Sequence, residues 1–193
     1  MMKIAITGAT KGIGKEIYNY FMDYGYAVSN FSRENGWDIG DEGKRYALTK
    51  ELQDYDVLIN NAFSQNDFNA QFELLKAMHW VWHKQENKII YNIGSRITDF
   101  DEFDNNLARQ YAQAKKKQDN FIRKHSHGHP MLVNIRPGAV DTEFLVDPNI
   151  PKMSTRQFIG VFDFLWQNRK DLYIRDITFC EKTTLDAFDN VAH

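Results

Sequence analysis

Cysteine is all but missing from this chain. Cys180 stands alone, which excludes an internal disulfide framework and suits a reducing compartment, so the expected location is the cytoplasm. An excess of either charge is missing too: 24 Lys and Arg stand against 26 Asp and Glu, a formal net charge of -2. That balance offers no electrostatic argument for a nucleic acid or an anionic membrane surface as partner, and neither is expected. No uninterrupted apolar run is long enough to cross a bilayer, and a first strand begins so soon after Met1 that no signal peptide fits. There are no repeats, linkers or low-complexity tracts to divide the chain. Its 193 residues are expected to form one domain, residues 1–193, with a sizeable core.

What the chain does have is glycine at the end of a strand. Lys3-Ile4-Ala5-Ile6 reads as a short buried strand, and Thr7-Gly8-Ala9-Thr10-Lys11-Gly12-Ile13-Gly14 follows it. A helix then opens with apolar positions Ile13, Ile17, Phe21 and Tyr24. Glycines let the backbone turn sharply and let a ligand come close, while the free N–H groups of a first helical turn favour an anion. An ordinary tight turn is the alternative reading, but the strand before and the helix after favour a dinucleotide phosphate trap.

Strands and helices alternate from there on. Residues 27–32, 56–59, 88–93 and 131–135 read as strands. Residues 43–52, 68–86 and 106–124 read as helices, and a further helix carries Phe158, Val161, Phe162, Leu165 and Trp166. A last strand is expected from residues 172–174 and 177–179. This order implies an α/β fold, a Rossmann-like doubly wound parallel sheet with helices on both faces. At the end of the second strand, where NAD-binding folds place an acid, stand Ser32 and Arg33. Arg can bind a ribose 2′-phosphate bidentately, whereas a carboxylate would repel it, and Lys11 adds a second cation. Among the histidines at 125, 127 and 129, Gly128 and Pro130 suggest a turn rather than a metal site. No metal is expected.

The glycine spacing, preceded by Thr7, resembles the short-chain dehydrogenase/reductase family in its short, single-domain form. Four further segments carry the resemblance in the same order: Asn60-Asn61-Ala62, Ser95 beyond the fourth strand, Tyr111 with Lys115, and Pro137-Gly138-Ala139-Val140-Asp141-Thr142. Tyr46 and Lys50 repeat the Tyr–Lys spacing, but only the later pair follows the strand-four serine. The resemblance covers roughly residues 2–142. It implies hydride transfer between NADP(H) and a small carbonyl or alcohol, with Ser95, Tyr111, Lys115 and Asn69 as catalytic residues. Asn69 lies 26 residues before Ser95, close to the spacing of the family's water-holding Asn; a helix N-cap is the alternative reading. Implied cofactor contacts are Thr7, Gly8, Thr10, Lys11, Gly12, Ile13, Gly14, Ser32, Arg33, Asp38, Ile39, Asn61, Ala62, Lys115, Pro137, Gly138, Val140 and Thr142, with Asp38-Ile39 at the adenine. Lys115 would also lower the Tyr111 pKa. A unit charge about 4 Å away is worth roughly 4 kcal/mol at an effective dielectric near 20, enough to move a phenol from about 10 toward 7.

Three features depart from the family pattern. Phe63 stands where a glycine is usual and is expected to narrow the cleft. Asn69 comes only seven positions after Ala62, so the entry to its helix is cut back. The usual Asp-Gly-Gly near the C-terminus is missing. Residues 143–170 are expected to include a substrate lid, and the family relatives imply a homodimer or homotetramer. A catalytically inactive NADP(H)-binding sensor or scaffold is the competing reading.

Overall fold

The computed structural model describes residues 2–103, 105–144 and 148–183. Six strands, β1 (Lys3–Thr7), β2 (Ala27–Phe31), β3 (Val57–Asn60), β4 (Ile89–Ile93), β5 (Met131–Pro137) and β6 (Asp176–Phe179), form one sheet in the order β2-β1-β3-β4-β5-β6. Every neighbouring pair is parallel. This is the doubly wound α/β fold expected from the alternation of elements.

Side chains alternate across each strand and feed two cores. Ile4, Ile6, Val57, Ile59, Tyr91, Ile93, Val133 and Ile135 face α1 (Gly12–Asp23) and α5 (Thr155–Asn168). Ala5, Leu58, Ile90 and Leu132 face the other layer, α2 (Glu42–Glu51), α3 (Ala70–Val81) and α4 (Asn106–His125). Each helix start has a local cause. Asp41 caps α2 by accepting from the Lys44 N–H, Asn105 caps α4 by accepting from Ala108, and Ser154 and Gln157 form a capping box on α5.

Three boundaries differ from the sequence reading. The helix expected over 68–86 is shorter at both ends. Asp67 takes the Asn69 N–H into its own turn, and Lys84, at φ 65°, has left helical geometry. Its aromatic cluster splits, with Trp82 fully buried and Trp80 exposed. The last strand is β6 alone. Residues 172–174 are outside it, and the Tyr173 hydroxyl donates to the carbonyls of Ser126 and Leu132. Much of the stretch expected as a lid is core: α5 buries Phe158, Phe162, Leu165 and Trp166, and Tyr20 donates to Asp163 at 2.6 Å. Of residues 143–154 before it, 145–147 lie outside the described residues.

An amide ladder runs through the sheet. Asn60, Asn92 and Asn134 sit side by side on β3, β4 and β5. Asn60 Nδ2 donates to Asn92 Oδ1 at 2.9 Å, and Asn92 Nδ2 donates to Asn134 Oδ1 at 3.0 Å. Most buried polar groups are hydrogen-bonded in this way. The ladder leads from the sheet centre to α4, where Gln118 accepts from Asn92 and Asp119 from Asn134.

Candidate active site

The phosphate end is built by three strand ends. Gly8 and Gly12 adopt φ of 71° and 58°, left-handed values that favour glycine. At Gly14 a Cβ would fall 2.5 Å from Asn61 Nδ2 and closer still to the Gly8 carbonyl oxygen. Only glycine lets α1 approach the turn there. Thr7 and Asn61 fasten the turn. The Thr7 hydroxyl accepts from the N–H groups of Asn61 and Ala62, and Asn61 Nδ2 donates to the carbonyls of Thr7 and Gly8 at 3.0 Å each. No side chain caps the N-terminus of α1 at Lys11. Its first amides therefore face the turn without a side-chain acceptor, which suits an anion. Thr142 reaches over this turn: its Cγ2 lies 3.7 Å from where a Cβ on Gly12 would be. Thr10 and Ile13 lie in the same turn, and the Lys11 ammonium stands 3.6 Å from Glu143 on the surface. These features fit the pyrophosphate of a dinucleotide.

The adenosine end is less direct. Ser32 is buried, and its hydroxyl has no hydrogen-bond partner and faces the interior. It contributes the absence of an acid rather than a contact. Arg33, beside it, is exposed at the start of a 3-10 turn, Arg33–Asn35. Asp38 Oδ1 accepts from the Gly40 N–H at 2.9 Å, so one carboxylate oxygen is used by its own turn. Ile39 belongs to the core beside Phe31 and Leu48.

At the catalytic end, Ser95 lies just beyond β4, where its Oγ accepts from the Ile97 N–H at 3.2 Å. The Tyr111 side chain, from the first half of α4, lies near enough to Ser95 for the serine hydroxyl to pull its pKa down. Burial nevertheless pushes the Tyr111 phenol up to about 12, and the Ser95 contact only moderates that. The expected lowering by Lys115 does not occur, and the geometry gives the reason. Lys115 Nζ stands 5.4 Å from the centre of the Tyr111 ring rather than at its hydroxyl. It donates instead to Gln71 Oε1 at 2.6 Å and to the Ile93 carbonyl at 2.7 Å. Burial lowers the Lys115 ammonium to about 7, against a smaller upward pull from Asp119. Asp119 accepts from Asn134, and Arg136 Nε approaches its other oxygen at 3.4 Å without hydrogen-bond alignment.

Gln71 is the site residue that sequence reasoning missed. It is fully buried and donates to the carbonyls of Asn60 and Ile93, joining β3, β4 and Lys115. Asn69, chosen by spacing, accepts from Lys117 on the surface instead. The shortened entry to α3 is the signal that could have moved the choice by about two residues, roughly the half-turn that exchanges helix faces.

Pro137 and Gly138 end β5 against β6. The Gly138 N–H donates to Phe179, and a Cβ there would fall 2.7 Å from Cys180 Cβ. Val140 is buried in a bridge to Met153. Phe63 lies across the site with its ring 5.0 Å from that of Tyr111.

The histidine run is remote from all this. His125 ends α4, with its ring 5.0 Å from His79 on α3, and a cleft of about 200 Å³ there is also lined by His83, His127 and His129. Among the described residues, no group of three or more metal-ligating side chains is arranged to hold an ion. No helix among them is long and apolar enough to cross a membrane.

No family model matches the sequence, and no curated protein matches it significantly. Solved structures do. A short-chain dehydrogenase/reductase from Vibrio parahaemolyticus superposes with a TM-score of 0.75 at 17% identity, covering 93% of this chain and 99% of that one. A short-chain dehydrogenase from Burkholderia cenocepacia, in complex with NADP, gives 0.74 at 14% identity over 99% and 93%. The 3-alpha-hydroxysteroid dehydrogenase of Pseudomonas sp. B-0831, complexed with NADH, gives 0.73 at 17% identity over 99% of both chains. The likeness is one of fold along nearly the full length. It is the fold that the five sequence segments point to.

Proposed function

We propose that this chain is a short-chain NADP(H)-dependent reductase that interconverts a small carbonyl compound and its alcohol. The observation that carries the reading is the placement of Tyr111 beside Ser95, with Lys115 one helical turn on and against the Tyr111 ring. All three lie at the carboxyl ends of strands, beside an uncapped helix N-terminus over a glycine turn. When bound, the cofactor supplies the hydride. The residues 7–14 turn would hold its phosphates, with Asn61, Ala62 and residues 137–142 along its length. Arg33 and Lys11 would favour the 2′-phosphate.

The chain's own chemistry is one proton. Ser95 holds the carbonyl oxygen as charge develops, and Tyr111 donates the proton to it. A phenol pushed up to about 12 is protonated at neutral pH, which is the state that reduction needs. Lys115, held by Gln71, lies under the ring and would serve the nicotinamide ribose. We place the enzyme in the cytoplasm as a dimer or tetramer.

The test is NADPH consumption against a panel of carbonyls, with Tyr111→Phe as control. Turnover by wild type and its loss in the variant support the reading. A sensor that binds NADP(H) without turnover is the second reading. The observation favouring it is that Lys115 is committed to Gln71 and Ile93 rather than to the Tyr111 hydroxyl. Tight NADPH binding with no carbonyl reduced would make it the better one.

A further inference from the structure

We propose that the site takes uncharged carbonyl compounds that carry an aromatic ring, and that Phe63 selects them. For the reaction this rests on the reductase reading above; the supporting observation is separate. Two phenylalanines pack on the proposed proton donor, and a third packs on one of them. The Phe63 ring meets Tyr111 edge to face at 5.0 Å and 89°. It meets Phe68 at 5.4 Å and Phe144 at 5.9 Å, both near perpendicular. Phe144 completes the group 6.0 Å from Tyr111.

These rings are not simply core filling. The large side chains that fill the two cores, such as Trp82, Phe21 and Phe158, are completely buried. Phe63 and Phe68 are only half-buried, and Phe144 is 62% exposed. Phe63 is braced by Phe68, whereas Phe144 is the most exposed ring of the group. Its departure would offer a planar group one ring on Phe63 beside the Tyr111 hydroxyl. Paired aromatic rings attract beyond the area they bury, in edge-to-face and offset-stacked geometries alike.

Charge argues in the same direction. Burial and the Ser95 hydroxyl are what shift the Tyr111 phenol, not a neighbouring ion. Lys115, the cation nearby, is engaged by Gln71 and Ile93. A substrate carboxylate beside Tyr111 would enter an apolar setting without a ready counter-ion, which is costly. A neutral ring would not.

The test compares three aldehydes with NADPH: benzaldehyde, cyclohexanecarbaldehyde of similar size, and carboxybenzaldehyde. Wild type is expected to favour benzaldehyde over each of the others by about tenfold in kcat/KM. Phe63→Leu keeps an apolar side chain and should bring benzaldehyde and cyclohexanecarbaldehyde near parity, while Phe63→Tyr should keep the preference. Alongside, benzyl alcohol and cyclohexylmethanol are titrated against the protein with and without NADPH, followed by intrinsic fluorescence, with no turnover needed. Reduction of all three aldehydes at similar rates overturns this inference and leaves the reductase reading standing. No reduction, but benzyl alcohol binding that Phe63→Leu weakens, overturns the reductase reading and keeps the aromatic site. No reduction and no preference for benzyl alcohol overturns both.

Discussion

At the scale of single residues, Tyr111 beside Ser95 and Lys115 hydrogen-bonded to Gln71 divide the work. Tyr111→Phe keeps the ring that packs on Phe63 and removes only the hydroxyl. Carbonyl reduction should fall by about 10²–10⁴-fold while NADPH affinity, measured by fluorescence, stays near wild type. Tyr46 is the control: it is exposed, with Lys50 over its ring at 4.5 Å, and Tyr46→Phe should leave turnover unchanged. The pH dependence follows from the Tyr111 phenol lying near 12. Reduction uses the protonated phenol and should hold level from neutral into mildly alkaline buffer. Alcohol oxidation needs the phenolate, so its rate should climb with pH over the same range. Parallel steady-state profiles in the two directions check this, and an oxidation rate that is flat with pH would count against Tyr111 as the base. At the other end of the cleft, Arg33→Ala should weaken NADPH binding and leave NADH binding nearly unchanged. Equal losses for the two cofactors would remove Arg33 from phosphate recognition.

At the scale of elements, α3 and α4 meet through a histidine cluster that carries a pH signature. Burial, with His125 and His83 nearby, lowers His79 to about 4 from the usual 6.5. A histidine lowered on folding binds fewer protons in the native state than in the unfolded one. Its contribution is therefore complete above 6.5 and is lost as pH falls from there toward 4. His125 is lowered for the same reason and adds to the same trend. The melting temperature of wild type should drop through that window, and His79→Phe should flatten the drop; an unaltered slope would move the titration elsewhere. On the opposite face, α5 holds Trp166 fully buried against Phe21, ring centres 4.7 Å apart. Trp166→Ala should cost about 3–5 kcal/mol, read by denaturant unfolding. A loss under about 1 kcal/mol would return α5 to the role of a mobile lid.

At the scale of the whole molecule, the sheet places the glycine turn, Arg33, Asn61, Ser95 and residues 137–142 at one end, beyond the carboxyl ends of β1 to β5, so cofactor and fold should be coupled. A ligand at about 100 times its dissociation constant stabilises by about 2.7 kcal/mol, and NADPH should raise the melting temperature accordingly, more than NADH at the same concentration. Much of this design is legible along the chain, because it rests on local rules. Strand-turn-helix punctuation, a glycine where α1 must touch a turn, and the order of five short segments are each set by neighbours in sequence. The strand ladder follows from alternating and continuous apolar runs, so the doubly wound sheet could be read before any coordinate. The roles of single side chains could not. Asn69, at the N-cap of α3, and Gln71, inside it, are two positions apart, and only the packing of α3 on β3 and β4 decides which of them meets Lys115. Whether Lys115 faces the Tyr111 hydroxyl or its ring depends on acceptors contributed by residues 71 and 93, remote in sequence from residue 115. The Tyr111 pKa rises or falls with burial under Phe63 and Phe144, which come from two other loops. Local geometry is determined by the sequence itself, whereas desolvation and partner choice are sums over contacts that exist only once the chain has folded.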